Sequence, residues 1–429
     1  MFSRAPYRST VAFRKTWLGN FQRRALAVEA SAKQEGDIST VFSSLSGGES
    51  KPLDKRFALL KQHLIQGNEQ KVLESWKRLL RELRKETKVV AEKRSRIIPQ
   101  IQFQDVQPTL QSADSEAEKR RKAFENEVKK RGVGVITGVI PRDTAREYKY
   151  ETEEYIQNNP WTKGEFHLIE GKCDSDLYRG FPPERPTVYE LYFSPAQVKA
   201  RAHPNLLTAQ RYLMSLWHSK DPNAMISTST ALSYADRLRI RQPGDVGFTL
   251  GPHVDGGSLE RWEPNGYGRG QVYDSIFAGQ WEDYNPWESS CRLPAISDLY
   301  NGAGACSMFR MFQGWLSMSD TGPQEGTLLV NPLFKLATAY FLLRPFMTSL
   351  KQAQIEPSGA INSGFLHENN WMLEPETSSA IQGAGQGVCQ EFNVELHPHL
   401  DLTNTMVHIP KINPGDYVVW HCDSELFLI

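Results

Sequence analysis

The 429-residue chain has no C-x-x-C pair. Its five cysteines, Cys173, Cys291, Cys306, Cys389 and Cys422, are an odd number scattered along the sequence. That usage excludes a disulfide framework and fits free thiols in a reducing compartment. No apolar run reaches the roughly 18 residues of a membrane span, so no spanning helix is expected. Neither charge is in excess: Lys+Arg and Asp+Glu stand at 50 each, and no global field points to nucleic acid or an acidic membrane. At 39% hydrophobic the chain can bury a sizeable core. An intracellular soluble globular protein is the class left over.

Acid is also missing locally. Before Glu29 the chain carries Arg4, Arg8, Arg14, Lys15, Arg23 and Arg24, with Phe13, Trp17, Leu18 and Phe21 at near-helical spacing. This reads either as a mitochondrial transit segment or as a disordered basic tail on a cytoplasmic protein. Residues 1–52 are taken together as basic leader and polar linker.

Residues 53–233 read as mainly helical. Leu73, Trp76, Leu79 or Leu80, and Leu83 give the buried stripe of a helix within 54–96, and the glutamates among its basic residues argue for a solvated face over an RNA surface. A second helix spans 112–132 and closes on Gly132, "VGVITGVI" is a strand, and a further helix runs from 142 to about 157. Residues 194–219 give two helices broken at His203-Pro204. From 234 to 429 short strands take over, punctuated by turns, with an aromatic insertion at 264–304 that is too rich in Tyr and Trp to be disordered. The order suits an α+β protein with a jelly-roll or double-stranded β-helix core.

"GPHVDGG" carries the chemistry. His253 and Asp255 are two apart on a strand and so share a face. An imidazole and a carboxylate so placed are two of the three ligands of a non-heme Fe(II) oxygenase site. The plainer alternative is a buried histidine satisfied by its neighbouring aspartate. "HVDGGSLERWE", "MFRMFQGWLSMSD", "EGTLLVNP" and "NPGDYVVWH", with "YELYFSPAQ", "ARAHPN" and "YADRLRIRQPGD", resemble the YbiU-like family, a domain-of-unknown-function group. That group is similar to the phytanoyl-CoA-hydroxylase-like Fe(II)/2-oxoglutarate dioxygenases. The resemblance spans roughly residues 35–424.

It implies a double-stranded β-helix, Fe(II) as metal, 2-oxoglutarate as co-substrate, a small-molecule organic substrate, and His253 and Asp255 as metal ligands. In the register implied by Gly415 and Asp416, the third ligand falls on Leu426, which has no donor atom. The basic partner for the far carboxylate of the co-substrate would lie beyond residue 429. The β-helix is therefore expected to be truncated at its C-terminus, and the missing ligand leaves a catalytically dead binding or structural module as the alternative function. His421 is a substitute ligand candidate, with His397, His399 and His408 behind it. Together with His253 and Asp255, one of these late histidines could instead form a cupin-like site for another divalent metal. Arg310 is a candidate for holding a co-substrate carboxylate, ahead of Arg239 and Arg241. The aromatic insertion is a candidate lid.

Overall fold

The computed structural model describes residues 38–44, 52–106, 115–159, 162, 180–181, 188–189, 191–233, 235, 237–241, 250–303, 305, 307–353, 361–424 and 426–428. All of them belong to one compact unit, Glu35–Ile429. The transit-type segment, and with it the choice between transit peptide and basic tail, lies outside them. Among the described residues no helix is long and apolar enough to cross a membrane.

The helices are α1 (Arg56–Ile65), α2 (Glu69–Lys93), α3 (Phe103–Val106), α4 (Ser115–Arg131), α5 (Arg142–Asn158), α6 (Pro195–Arg201), α7 (Pro204–Met214), α8 (Asp274–Phe277), α9 (Phe334–Leu343) and α10 (Leu402–Thr405). The region read as one helical stretch breaks between α1 and α2 at Gly67, whose φ of 78° favours a residue without Cβ. Val72, Trp76, Leu79, Leu80, Leu83 and Val90 give α2 its buried stripe, and Trp76 stacks on Tyr340 of α9 at 5.1 Å. The basic residues of the same helix are tied down, Arg78 by Glu282 and Arg84 by Glu368. α4 carries Glu116 and Glu118 in its first turn and Lys129, Lys130 and Arg131 in its last, matching the helix dipole. A capping box of Ser194 and Gln197 starts α6, and the His203 side chain caps α7 through the Asn205 N–H.

The strands are β1 (Gln100–Gln102), β2 (Val133–Thr137), β3 (Gly180–Phe181), β4 (Val188–Tyr189), β5 (Leu238–Arg239), β6 (Leu250–Val254), β7 (Phe312–Leu316), β8 (Leu328–Val330), β9 (Met347–Ser349), β10 (Trp371–Leu373), β11 (Gln390–Glu391), β12 (Val407–His408), β13 (Tyr417–His421) and β14 (Leu426–Leu428). They form a four-stranded sheet in the order β1-β2-β13-β7, a five-stranded sheet in the order β11-β6-β14-β8-β12, and sheets of β3-β4-β5 and β9-β10.

Side-chain alternation places the four-stranded sheet between two cores. Val133, Val135 and Val418 join Val254, Leu328, Val330 and Val407 of the five-stranded sheet in one apolar cluster. Ile136 and Val419, on the other face, pack with Phe124 and Val128 of α4 and Leu206, Ala209 and Leu213 of α7. The sheet is covered on both sides, which is why "VGVIT" reads as a continuous apolar run.

Within 29–52, residues Ile38–Val41 form a 3₁₀ turn and Phe42 is buried against Val188, Leu250 and Cys389. Two apolar residues in a polar stretch were enough to dock it.

Candidate functional site

β6 lies inside the five-stranded sheet between β11 and β14, so both of its edges are paired and its last residues are held in place. His253 is 2% exposed, with Phe42 edge-on to its ring at 4.7 Å. Its Nδ1 lies 2.7 Å from the Gly251 carbonyl oxygen, an acceptor only, so Nδ1 carries a proton. Nε2 faces Asp255 Oδ1 at 3.6 Å, too far for a good hydrogen bond. The ring's hydrogen bond is the one to the backbone carbonyl.

Asp255 is fixed at its other oxygen, where Oδ2 accepts from Gln313 Nε2 of β7 at 2.8 Å. Burial works to raise its pKa, but His253, Arg310, the Gln313 hydrogen bond and Arg239 outweigh it and hold the carboxyl below its ordinary value. Asp255 and Arg310 line one cavity, together with Tyr267, Arg292, Ser297 and Cys422 among others.

Gly256 and Gly257 follow with φ of 86° and 91°. A Cβ on Gly257 would lie 2.4 Å from the Ser297 carbonyl oxygen. Gly257→Ala is expected to lower stability by about 1–3 kcal/mol through backbone strain alone and to displace Ser297 from the cavity wall. The urea midpoint reads this, and an unchanged midpoint would refute it.

Behind the cavity sits a group that sequence reasoning missed. Asp423, just past β13, takes Arg261 Nη1 on Oδ1 at 2.9 Å and Arg292 Nη2 on Oδ2 at 2.5 Å. Tyr284 donates to Oδ2 at 3.1 Å, and Arg261 Nη1 donates to the Tyr273 oxygen at 2.6 Å. Arg261 Nη2 donates to the Asp255 carbonyl oxygen at 3.0 Å, linking this cluster to the His253–Asp255 pair. Burial would raise the Asp423 pKa, but Arg292 and Arg261 drive it far below the carboxylate range. Tyr267, Tyr273 and Tyr284 all come from the aromatic insertion, whose buried rings form the wall around these charges. The only sequence signal was an arginine set in an apolar or aromatic stretch, as in "LERW" and "CRLP".

His421 has no lone pair to offer. Its Nδ1 accepts from the Asp423 N–H at 3.0 Å, so its Nε2 donates to the Pro286 carbonyl at 3.0 Å. The ring stacks on Trp217 at 4.6 Å, on the face of β13 turned to the helices. Burial depresses its pKa to about 3. The same burial pushes the Cys422 thiol up to about 12. His421, Cys422 and Asp423 are the one group of three metal-type ligands found among the described residues. Its imidazole and carboxylate are both fully engaged, and no third His, Cys, Asp or Glu of the described residues joins His253 and Asp255.

His397 and His399 are buried among aromatic rings, His397 4.8 Å from Phe392 and His399 4.9 Å from Trp371, and burial lowers both pKa values to about 3. Opposite His253 in the β6–β14 ladder stands Leu426, and on its other side, in β11, Glu391. The Glu391 carboxylate accepts from the Ser44 N–H at 3.2 Å.

The chain is similar to proteins already known. The uncharacterized protein YbiU of Escherichia coli K12 is 30% identical over 319 residues, covering 74% of this chain and 67% of YbiU. The crystal structure of GlcNAc Inducible Gene 2 from Candida albicans superposes with a TM-score of 0.70 at 30% identity, over 88% of this chain and 73% of that one. A Salmonella typhimurium LT2 protein provisionally named an oxidoreductase gives 0.64 at 28% identity, over 89% and 82%. The Gig2-like family model matches residues 51–426. This chain belongs to the Gig2-like family.

Proposed function

We propose that the four- and five-stranded sheets are the two walls of a double-stranded β-helix of the Fe(II)/2-oxoglutarate oxygenase type. His253 and Asp255 would hold a divalent iron beside a pocket for a small organic molecule. The observation that carries this reading is the convergence of His253 Nε2 and Asp255 Oδ1 across 3.6 Å. Two metal–ligand bonds of about 2.1 Å reach across such a gap. The Gly251 carbonyl on Nδ1 is the outer-shell support that metal-binding histidines use. The oxidoreductase name of the Salmonella neighbour supports an oxidative role.

The donor set fits iron at two corners and not at the third, because the ladder partner of His253 is Leu426. Iron with a keto acid would supply the oxidant for a hydroxylation. The chain's own part is to orient Asp255 through Gln313, to fix the His253 tautomer through Gly251, and to exclude water with the buried tyrosines of the insertion. Leu426 is also the observation that favours the second reading, a β-protein that binds small molecules or partners without turnover.

Anaerobic titration with Mn(II), followed by an assay for iron-dependent succinate formation from 2-oxoglutarate, separates the two. The wild-type chain is expected to bind Mn(II), and His253→Ala and Asp255→Ala each to abolish it. Equal binding by all three proteins would sink the metal assignment. Binding without succinate would leave the fold and ligand pair standing and select the second reading.

A further inference from the structure

β11 carries a carboxylate beside His253. Glu391 is the ladder partner of His253, and residues directly opposite each other in a ladder share a face of the sheet, with Cβ atoms about 4.5–5.5 Å apart. The next pair along, Val254 and Gln390, points the other way and is fully buried. On the His253 face lies the segment of residues 38–44. Phe42 sets its ring edge-on to His253 at 4.7 Å. Two residues later, Ser44 gives its N–H to Glu391 Oε2 at 3.2 Å and its hydroxyl to Oε1. Two residues of chain span at most about 7 Å, so one short stretch of a separate element touches both side chains.

Glu391 is held lightly. Its carboxylate has one partner residue among the described residues, the exposed Ser44, and both donors are neutral. The segment that carries Ser44 docks through one fully buried apolar side chain, Phe42, with Val41 partly buried beside it. Two more hydrogen bonds hold it, from the Cys389 N–H to the Val41 carbonyl at 2.9 Å and from the Thr40 hydroxyl to the Ala303 carbonyl at 3.1 Å. A divalent cation is a far stronger partner for a carboxylate than two neutral donors are. Rotation of the Glu391 side chain alone carries the carboxylate from Ser44 toward its ladder partner, while the backbone of β11 stays paired to β6. The ladder neighbour of His253 on the other side, Leu426, has no donor atom.

We propose that Glu391 is the third protein ligand of a divalent cation held by His253 and Asp255, and that Ser44 holds this carboxylate when no cation is bound. The proposal rests on the reading of His253 and Asp255 as metal ligands. One imidazole and two carboxylates form an oxygen-rich donor set that suits Mn(II) and Fe(II). Residues 38–44 and the cation then compete for the same two oxygens. Lifting Ser44 away tightens metal binding, and by reciprocity the metal loosens Ser44.

Titration of the intact chain with Mn(II), read by the electron paramagnetic resonance signal of the free ion, tests it. Glu391→Gln keeps the side-chain shape and is expected to weaken Mn(II) at least about tenfold, since even an outer-shell partner of a ligand is worth that much. Ser44→Ala removes the competing hydroxyl and should tighten Mn(II) by about two- to tenfold, the worth of one hydrogen bond. The double variant Ser44→Ala/Glu391→Gln should bind like Glu391→Gln alone. Wild-type affinity in Glu391→Gln overturns the proposal. So does a gain in Ser44→Ala that persists in the double variant, because the effect would then lie in the segment and not in the carboxylate. Loss of Mn(II) in His253→Ala with none in Glu391→Gln removes Glu391 and leaves the His253–Asp255 pair standing, whereas a wild-type chain that binds no Mn(II) removes both.

Discussion

Asp423→Asn is expected to lower stability at neutral pH by about 3–5 kcal/mol, because it leaves two buried guanidinium groups without their carboxylate. Against a total of about 5–15 kcal/mol for a folded protein, that is a large share. The urea midpoint at pH 7 measures it. A loss under about 1 kcal/mol would show that the cluster is compensated in some other way. Asp320→Asn is the matched control: its partner Arg142 bonds both carboxylate oxygens, but the two side chains are 44% and 55% exposed, and such pairs contribute up to about 1 kcal/mol.

The pH dependence follows from the same group. Folded Asp423 has a depressed pKa, so its contribution is fully present above the unfolded carboxylate value of about 3.9 and is lost as pH falls below it. The wild-type stability curve should therefore fall away on the acid side of pH 4, and the variant's should fall less steeply there.

Leu426→His is expected to raise affinity for Mn(II) and Fe(II) by at least about 10- to 100-fold. Loss of a mere outer-shell partner already costs that much at known sites, and a third protein ligand contributes more. The argument rests on register: residues directly opposite each other in a ladder share a face of the sheet, and 426 is opposite 253. Titration of Leu426→His and of the double variant Leu426→His/His253→Ala decides it. If the gain survives loss of His253, the two positions do not share an ion. Appearance of succinate formation in the single variant would restore the oxygenase reading in full.

Sequence reading reached the local elements well and the long-range ones poorly. The 3–4 spacing around Trp76 gave α2, Gly132 gave the end of α4, and Pro204 gave the break before α7, because each signal lies within a few residues of its effect. The β9–β10 hairpin went unseen, since Met347 and Trp371 are separated by a stretch with no alternation to connect them. His253 and Asp255 were legible as neighbours because they stand only two apart, at the end of β6 and just past it. Gln313, Arg261, Arg292 and Asp423 were not, because a buried ion cluster is assembled from distant segments and leaves no period in any of them.

Distance along the chain also governs when the site can form. Arg261 meets Asp423 across 162 residues and Arg292 meets it across 131. At a synthesis rate of about 5–20 residues per second, Arg261 waits on the order of 10–30 s for its counter-ion. β6 waits as long, because both of its neighbours, β11 and β14, are translated after residue 389. Throughout that interval the nascent chain presents an unpaired strand edge beside unneutralised arginines, the condition under which holdase chaperones bind and uncontrolled strand pairing begins. Slowing translation between 293 and 423 should therefore increase aggregation of this protein more than slowing it anywhere in the helical first half.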